Sequence, residues 1–295
     1  MALASSTVTA TSLSNLVETV YRPRMALATS EAMEIANKFD DGNEGVEKMA
    51  NSLVIRKILA KNRVTAAAGD HLAAENMTFE ADTETNITVS PTFIYGAVGL
   101  SKHSQTRLLA SAEYQKGVRE QLVRTLKEEI DETAGELGDN LATSVIGGAQ
   151  NLDKSLLLSG LAILRENSKR YYSPGKNTAY LRVHPRQMHH LYSIAEIANA
   201  NLRGDSANPN VTGVLVEAWG LDIGISGNIV NSGGFLHNML FLKEAFVLAY
   251  NERPQLAPEQ PNGLAMLLMS YAEFGVAEVW DEYAVDVRTN NTAIS

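Results

Sequence analysis

Apolar positions recur every three or four residues through EYQKGVREQLVRTLKEEIDETAGELGDNL. Val118, Leu122, Leu126, Ile130, Ala134 and Leu137 form one narrow stripe, and charged side chains occupy the rest of the surface. That period predicts an amphipathic helix over residues 114–141, about 40 Å long at about 1.5 Å per residue. Pairs such as Glu120 and Arg124, four apart, support its exposed face. So thin a stripe on so long a helix predicts an element that lies across a surface rather than inside a core.

On either side the pattern changes. LVIRKILAKNRVTA, from Leu53, is rich in β-branched and aliphatic residues and reads as a strand. NITVSPTFIYGAVGLS (86–101) reads as a strand pair or one long bent strand, with Pro91 marking an edge or bulge. The intervening residues 66–85 hold five acidic residues and no Lys or Arg. A connection of that length exceeds what a hairpin needs and predicts an extended arm. Residues 1–52 form a leader: SEAMEIANKF (30–39) has helical spacing, with Ser30 as N-cap and Glu31 in the first turn, and DDGNEG breaks it. This leader is expected to lie on something other than its own core.

Downstream, LDKSLLLSGLAILRENSK predicts a second helix, AYLRV a short strand, and PRQMHHLYSIAEIANA a further helix opened by Pro185, with His184 ending the strand. RGDSANPN reads as a loop, and GVLVEAWG and LDIGISGNIV as strands. NMLFLKEAFVLAYN reads as one or two buried strands. RPQLAPEQPNG is a crossing. AMLLMSYAEFG and VAEVWDEYAVDVRT close the chain as strands hinged at Gly275. No period of 20 to 50 residues repeats.

Composition narrows the function. The chain has 295 residues, 45% hydrophobic and 20% charged, which suits globular units with real cores. No apolar run reaches the roughly 18 to 20 residues that span a bilayer, and the Ser/Thr/Ala-rich start lacks the features of a secretory signal. The absence of cysteine excludes disulfides, thiolate metal sites and cysteine nucleophiles. A net charge of −9 without a basic block argues against a surface that reads nucleic acid.

The candidate chemistry is thin. His184, His189 and His190 fall within seven residues, yet zinc on a helix wants ligands one turn apart with a carboxylate near. His189 and His190 are neighbours, His184 precedes the helix, and the first carboxylate is Glu196; surface or interface histidines are the better reading. Ser226 in GISG lacks the flanking glycines of a nucleophile elbow. Gly220, Gly224 and Gly227 do not fit a dinucleotide loop. Glu128 and Glu129 lie on the solvated face of the long helix, and RGD at 203–205 is a chance-level match. No cofactor motif and no enzyme constellation emerges.

The order of the elements, however, resembles the major capsid proteins of tailed bacteriophages, which share the Hong Kong 97 fold. The resemblance covers about residues 53–289. It is carried by NTAYLRVHPRQMHHL, by GVLVEAWGLDIGISGNIV with NMLFLKEAFVLAY, and by SYAEFGVAEVWDEYAVDVRT. It implies an α+β fold of five parts: an N-terminal arm (1–52), an extended β loop (53–101), a peripheral domain with the spine helix (102–174), an axial domain (175–261), and a return to the peripheral domain (262–295). It implies a non-enzymatic subunit that assembles with itself as pentamers and hexamers into an icosahedral shell. Such a virion component is assembled in the host cytoplasm and encloses a double-stranded DNA genome without sequence-specific binding.

Only about fifty residues precede the extended loop, where some members carry a longer scaffolding segment that is cut off. The resemblance therefore implies a separate scaffolding protein, or a chain already processed, with the start at Met1 favouring the former, beside a portal and optional cement proteins. Nothing marks a Lys–Asn pair for covalent crosslinking. Nanocompartment shells of the encapsulin type share the fold, and an α/β metal enzyme built on the histidine cluster is the reading from a different class. On the shell reading, the acidic loop residues Asp70, Glu75, Glu80, Asp82 and Glu84 are expected to meet Arg119, Arg124 and Lys127 on the spine helix of another subunit.

Overall fold

The computed structural model describes residues 33–42, 52–58, 84–101, 112–146, 151–168, 178–198, 219–256, 260–262 and 265–291. In chain order the strands are β1 (Asp40–Asp41), β2 (Leu53–Ile58), β3 (Glu84–Val89), β4 (Thr92–Ser101), β5 (Ser144–Ile146), β6 (Ala179–Val183), β7 (Leu221–Ile225), β8 (Asn231–Ser232), β9 (Phe235–Leu242), β10 (Phe246–Leu256), β11 (Gln260–Asn262), β12 (Ala265–Glu278) and β13 (Ala284–Asn290). The helices are α1 (Ala112–Glu136), α2 (Lys154–Ser168), α3 (Met188–Ser193) and α4 (Ala195–Ala198).

Two sheets organise the chain. In the long sheet β10 and β12 run antiparallel, and β4 pairs along β12 from Phe274↔Thr92 to Ala265↔Ser101. β11 flanks the start of β12, and β1 lies parallel to β10. The central sheet has the order β5-β13-β9-β6-β7, with β8 beside β9. β2 and β3 form a separate antiparallel hairpin.

The apolar stripe of α1 packs as its period predicts. Val118, Leu122, Leu126, Ile130 and Ala134 are buried, the first two against Leu268 and Val98 of the long sheet. Leu126, Ile130 and Ala134 enter a core with Met239 and Phe241 of β9 and with Phe246 and Phe274 of the long sheet. The opposite face of the central sheet, with Leu181, Leu240 and Val285, packs on α2, α3 and α4 through Leu157, Leu164, Leu191 and Ile197. β9 is therefore apolar on both faces, which is why FLHNMLFL is nearly unbroken.

Several expectations are corrected. Residues 33–42 of the leader do not await a neighbour: Ile35, Ala36 and Phe39 are buried in the subunit's own core, Phe39 stacking on Phe246 at 4.8 Å. Of the helix expected over 30–39, the described residues form only the 3-10 turn Ala36–Lys38, followed by β1; Ser30 and Glu31 lie outside the described residues. The 185–200 helix is broken, because Ile194 turns extended and buries its side chain while Ser193 Oγ donates to the His190 carbonyl. The strand expected over 221–230 ends at Ile225. That expected over 213–220 is a turn at Trp219 and Gly220, and its residues 213–218 lie outside the described residues.

β12 passes straight through Gly275, with no hinge there. A Cβ at Gly275 would stand 2.7 Å from the Ser90 carbonyl oxygen, so glycine is needed for close approach of the β3–β4 corner. The direction changes at the 3-10 turn Asp281–Tyr283, which sends β13 into the central sheet. Sheet membership accordingly does not follow the 175–261 and 262–295 segments: β10 joins β12 and β4, and β13 joins β6 and β9.

Candidate functional site

Three surfaces and two buried clusters carry what chemistry the described residues hold. The first surface is the outward face of α1. Because the apolar stripe turns inward, Lys116, Arg119, Arg124 and Lys127 line a groove of about 560 Å³ together with Glu120 and Leu256 of β10. Lys116 Nζ lies 3.8 Å from Glu120 Oε1, leaving the groove net positive on a chain of net charge −9. The structure thus brings Arg119, Arg124 and Lys127 together. Of the acidic residues expected to meet them, Asp70, Glu75, Glu80 and Asp82 lie outside the described residues, and Glu84 opens β3.

The second surface is the face of the long sheet turned away from α1. Alternation along β4 directs Ile94, Gly96 and Val98 inward and leaves Phe93 and Tyr95 at 58% and 65% exposure. Phe93 stacks on Tyr271 with centroids 6.0 Å apart and sits 6.2 Å from Tyr95, and Gln255 Nε2 donates to Tyr271 Oη at 2.9 Å. Solvated aromatic rows of this kind mark contact surfaces.

The third surface holds the histidines. His184 Nδ1 accepts from the Arg186 amide at 3.2 Å, so it caps the turn Pro185–Gln187. The His189 and His190 rings touch, with centroids 3.6 Å apart, rather than diverging as adjacent helical positions suggest. Partial burial and the neighbouring His189 charge lower the His190 pKa. Among the described residues no three His, Asp or Glu side chains are grouped to hold a metal. Ser226 is buried, and its Oγ accepts from the Asn228 amide at 3.2 Å, which is a turn contact. The RGD triplet lies outside the described residues.

The buried clusters were missed in the sequence. Asp131, near the C-terminal end of α1 and fully buried, accepts from the Ile35 and Ala36 amides at 2.8 and 2.9 Å through Oδ1 and from Asn228 Nδ2 at 2.9 Å through Oδ2. Arg182, 1% exposed on β6, donates to the carbonyls of Glu34, Leu181 and Asp222 at 2.8, 3.1 and 2.9 Å. Lys38 Nζ meets Asp222 Oδ2 at 3.0 Å. Burial alone would raise the Asp222 carboxyl. The Lys38 hydrogen bond and the Arg182 and Lys38 charges outweigh it and hold the group below its ordinary value. Together these contacts fasten residues 34–38 to α1 and to the central sheet. The one available signal was a carboxylate bordering the apolar stripe, at Asp131 beside Ile130. The second cluster centres on His237, between Asp139 and Asp286.

No protein-family model and no curated protein matches the sequence. Solved structures do match in fold. A chain of Mycobacterium phage Che8 aligns at a TM-score of 0.68 with 14% identity, covering 90% of this chain and 94% of that one. A chain of the cyanophage Pam1 capsid asymmetric unit aligns at 0.68 with 13% identity, covering 98% and 100%. One from the head structure of Helicobacter pylori bacteriophage KHP40 aligns at 0.67 with 10% identity, covering 99% and 100%.

Proposed function

We propose that this chain, whose α+β fold is the Hong Kong 97 fold of those phage structures, is a major capsid protein. Copies of it assemble as pentamers and hexamers into an icosahedral shell around a double-stranded DNA genome. The observation that carries the reading is the reciprocity of the match: the alignment covers 98% of this chain and 100% of the Pam1 capsid chain. The fold serves such a role because α1 and the long sheet make a stiff slab with two unburied faces, one cationic and one aromatic.

In this reading the hairpin β2–β3 is the base of the extended loop. Its acidic residues Asp70, Glu75, Glu80, Asp82 and Glu84 reach the groove of Arg119, Arg124 and Lys127 on a neighbouring subunit. Charge complementarity supports the pairing and sets its register more than its strength. The protein acts as a non-enzymatic virion component assembled in the host cytoplasm. Its partners are further copies of itself, a separate scaffolding protein, a portal and optional cement proteins. The arm, the peripheral unit with α1 and the axial unit keep the roles that the resemblance implies. No observation favours the encapsulin reading over the phage one, and among the described residues no group of His, Asp and Glu side chains favours the metal-enzyme reading.

The test is electron microscopy of the full chain purified alone and after co-expression with a scaffolding protein from the same genome. Closed shells, or pentamers and hexamers that close into them, are expected. A discrete small oligomer under every condition overturns the proposal. Arg119→Glu, Arg124→Glu and Lys127→Glu combined are expected to reduce shell yield with unchanged subunit unfolding; unchanged yield discards the groove pairing while leaving the shell reading intact.

A further inference from the structure

His237 lies on β9, 3% exposed, at the point where the end of α1 meets the central sheet. Its Nδ1 is 2.9 Å from Asp286 Oδ2, and its Nε2 is 3.2 Å from Asp139 Oδ1 and 3.4 Å from the Ser232 carbonyl oxygen. Every partner of the ring is an acceptor. A neutral imidazole has one N–H and can satisfy only one side, whereas an imidazolium donates from both nitrogens. Asp286 Oδ2 is poorly placed to supply the second proton to the ring, because it already accepts a charge-assisted hydrogen bond from Arg288 Nε at 2.6 Å.

The charged groups facing the ring are Asp139 from the 3-10 turn Leu137–Asn140 and Asp286 from β13, with Arg288 behind Asp286; β8 contributes the neutral Ser232 carbonyl. That turn rests directly on β9. A Cβ at Gly138 would stand 2.9 Å from Met239 Cγ and 3.3 Å from the His237 carbonyl oxygen. Asp139 is 40% exposed, while Asp286 is fully buried, so Asp139 is the partner that water can replace.

We propose that His237 is held as an imidazolium between Asp139 and Asp286 and is a proton-dependent latch that fastens the end of α1 to the central sheet. When the proton leaves Nε2, two acceptors face each other, Asp139 turns to solvent, and the turn Leu137–Asn140 loosens from β9. The Asp286 side stays closed. Its Oδ2 remains bonded to Arg288 Nε at 2.6 Å and to His237 Nδ1 at 2.9 Å, away from solvent. The latch contributes while His237 is protonated and is lost as pH rises. It stands on this subunit's own residues and holds whether or not the chain forms shells.

Hydrogen exchange of the full chain, read by mass spectrometry from about pH 5 to about pH 9 and corrected for intrinsic rates, tests this. Peptides covering 137–143 are expected to lose protection by about tenfold or more in a single-proton step, while peptides from α2 do not change. Asp139→Asn, at an exposed position, removes the outer carboxylate and is expected to move the step to lower pH. His237→Gln is expected to abolish it. A step that is absent in the wild type, or that does not move in Asp139→Asn, overturns the proposal even where His237→Gln fails to fold.

Discussion

Replacing Asp131 by Ala strands two buried donors, the Ile35 and Ala36 amides, together with the half-buried Asn228 Nδ2. An unsatisfied buried donor costs about 1–3 kcal/mol, and Ala regains about 0.5 kcal/mol of helix propensity. Counting the two amides alone gives a net loss of about 1.5–5.5 kcal/mol. Asp131→Asn keeps an acceptor at the Oδ1 position and loses the charge and the Asn228 bond, for about 1–2 kcal/mol. The chain has a way to limit the larger loss. If residues 33–42 detach, water satisfies the amides, and the cost becomes the re-exposure of Ile35 and Phe39, about 1.5–3 kcal/mol each.

The two routes are similar in size, so the damage is expected locally before it is global. In Asp131→Ala, exchange protection of peptides covering 33–42 should fall by about a hundredfold, since each 1.4 kcal/mol is about tenfold. Urea unfolding of the remaining core should shift less than that loss implies. Asp131→Asn should fall between. If 33–42 exchanges within about twofold of wild type in Asp131→Ala, or if Asn and Ala are equivalent, the carboxylate does not anchor the leader and the reasoning fails.

Gly135→Ala should reverse the ordinary rule. In an exposed helix it stabilises by about 1 kcal/mol, but here the new Cβ would lie 2.2 Å from the Asn228 carbonyl oxygen, so a lower urea midpoint is expected; a higher one would show that the loop gives way freely. Gly275→Ala should also destabilise, through the 2.7 Å approach to Ser90, with the change confined in exchange measurements to the β3–β4 corner. Asp222 sets a pH dependence. Its folded pKa lies below the ordinary 3.8, so its contribution is complete above that value and disappears as pH falls through the lower, folded value. Asp222→Asn should flatten that part of the acid-stability curve, and an unchanged curve would remove the Lys38–Asp222 contact from the account.

What was legible in the sequence follows from locality. The stripe of α1, the Pro91 break between β3 and β4, the Pro185 start after β6 and the double-sided apolar run of β9 each express a period or a backbone restriction spanning a few residues. Arg119, Arg124 and Lys127 were legible only as basic residues of one helix; that they line one groove came from the structure. The order of elements carried the fold even though identity to the matched structures is only 10–14%, because binary pattern tolerates substitution within its classes.

The tertiary structure alone decided the rest. Asp131 and Ile35 are 96 residues apart, Arg182 and Glu34 148, and His237 and Asp286 49. A buried charge is stable only beside its partner, and no local period announces a partner at such a distance. In the sequence these residues read as ordinary polar interruptions of apolar segments. The same holds for the leader, whose Ile35 and Phe39 looked surplus until the core between α1 and β9 closed around them. It holds too for β10 and β13, whose composition marks them as strands but whose sheets are chosen by the turn Asp281–Tyr283 and by where each apolar face finds cover.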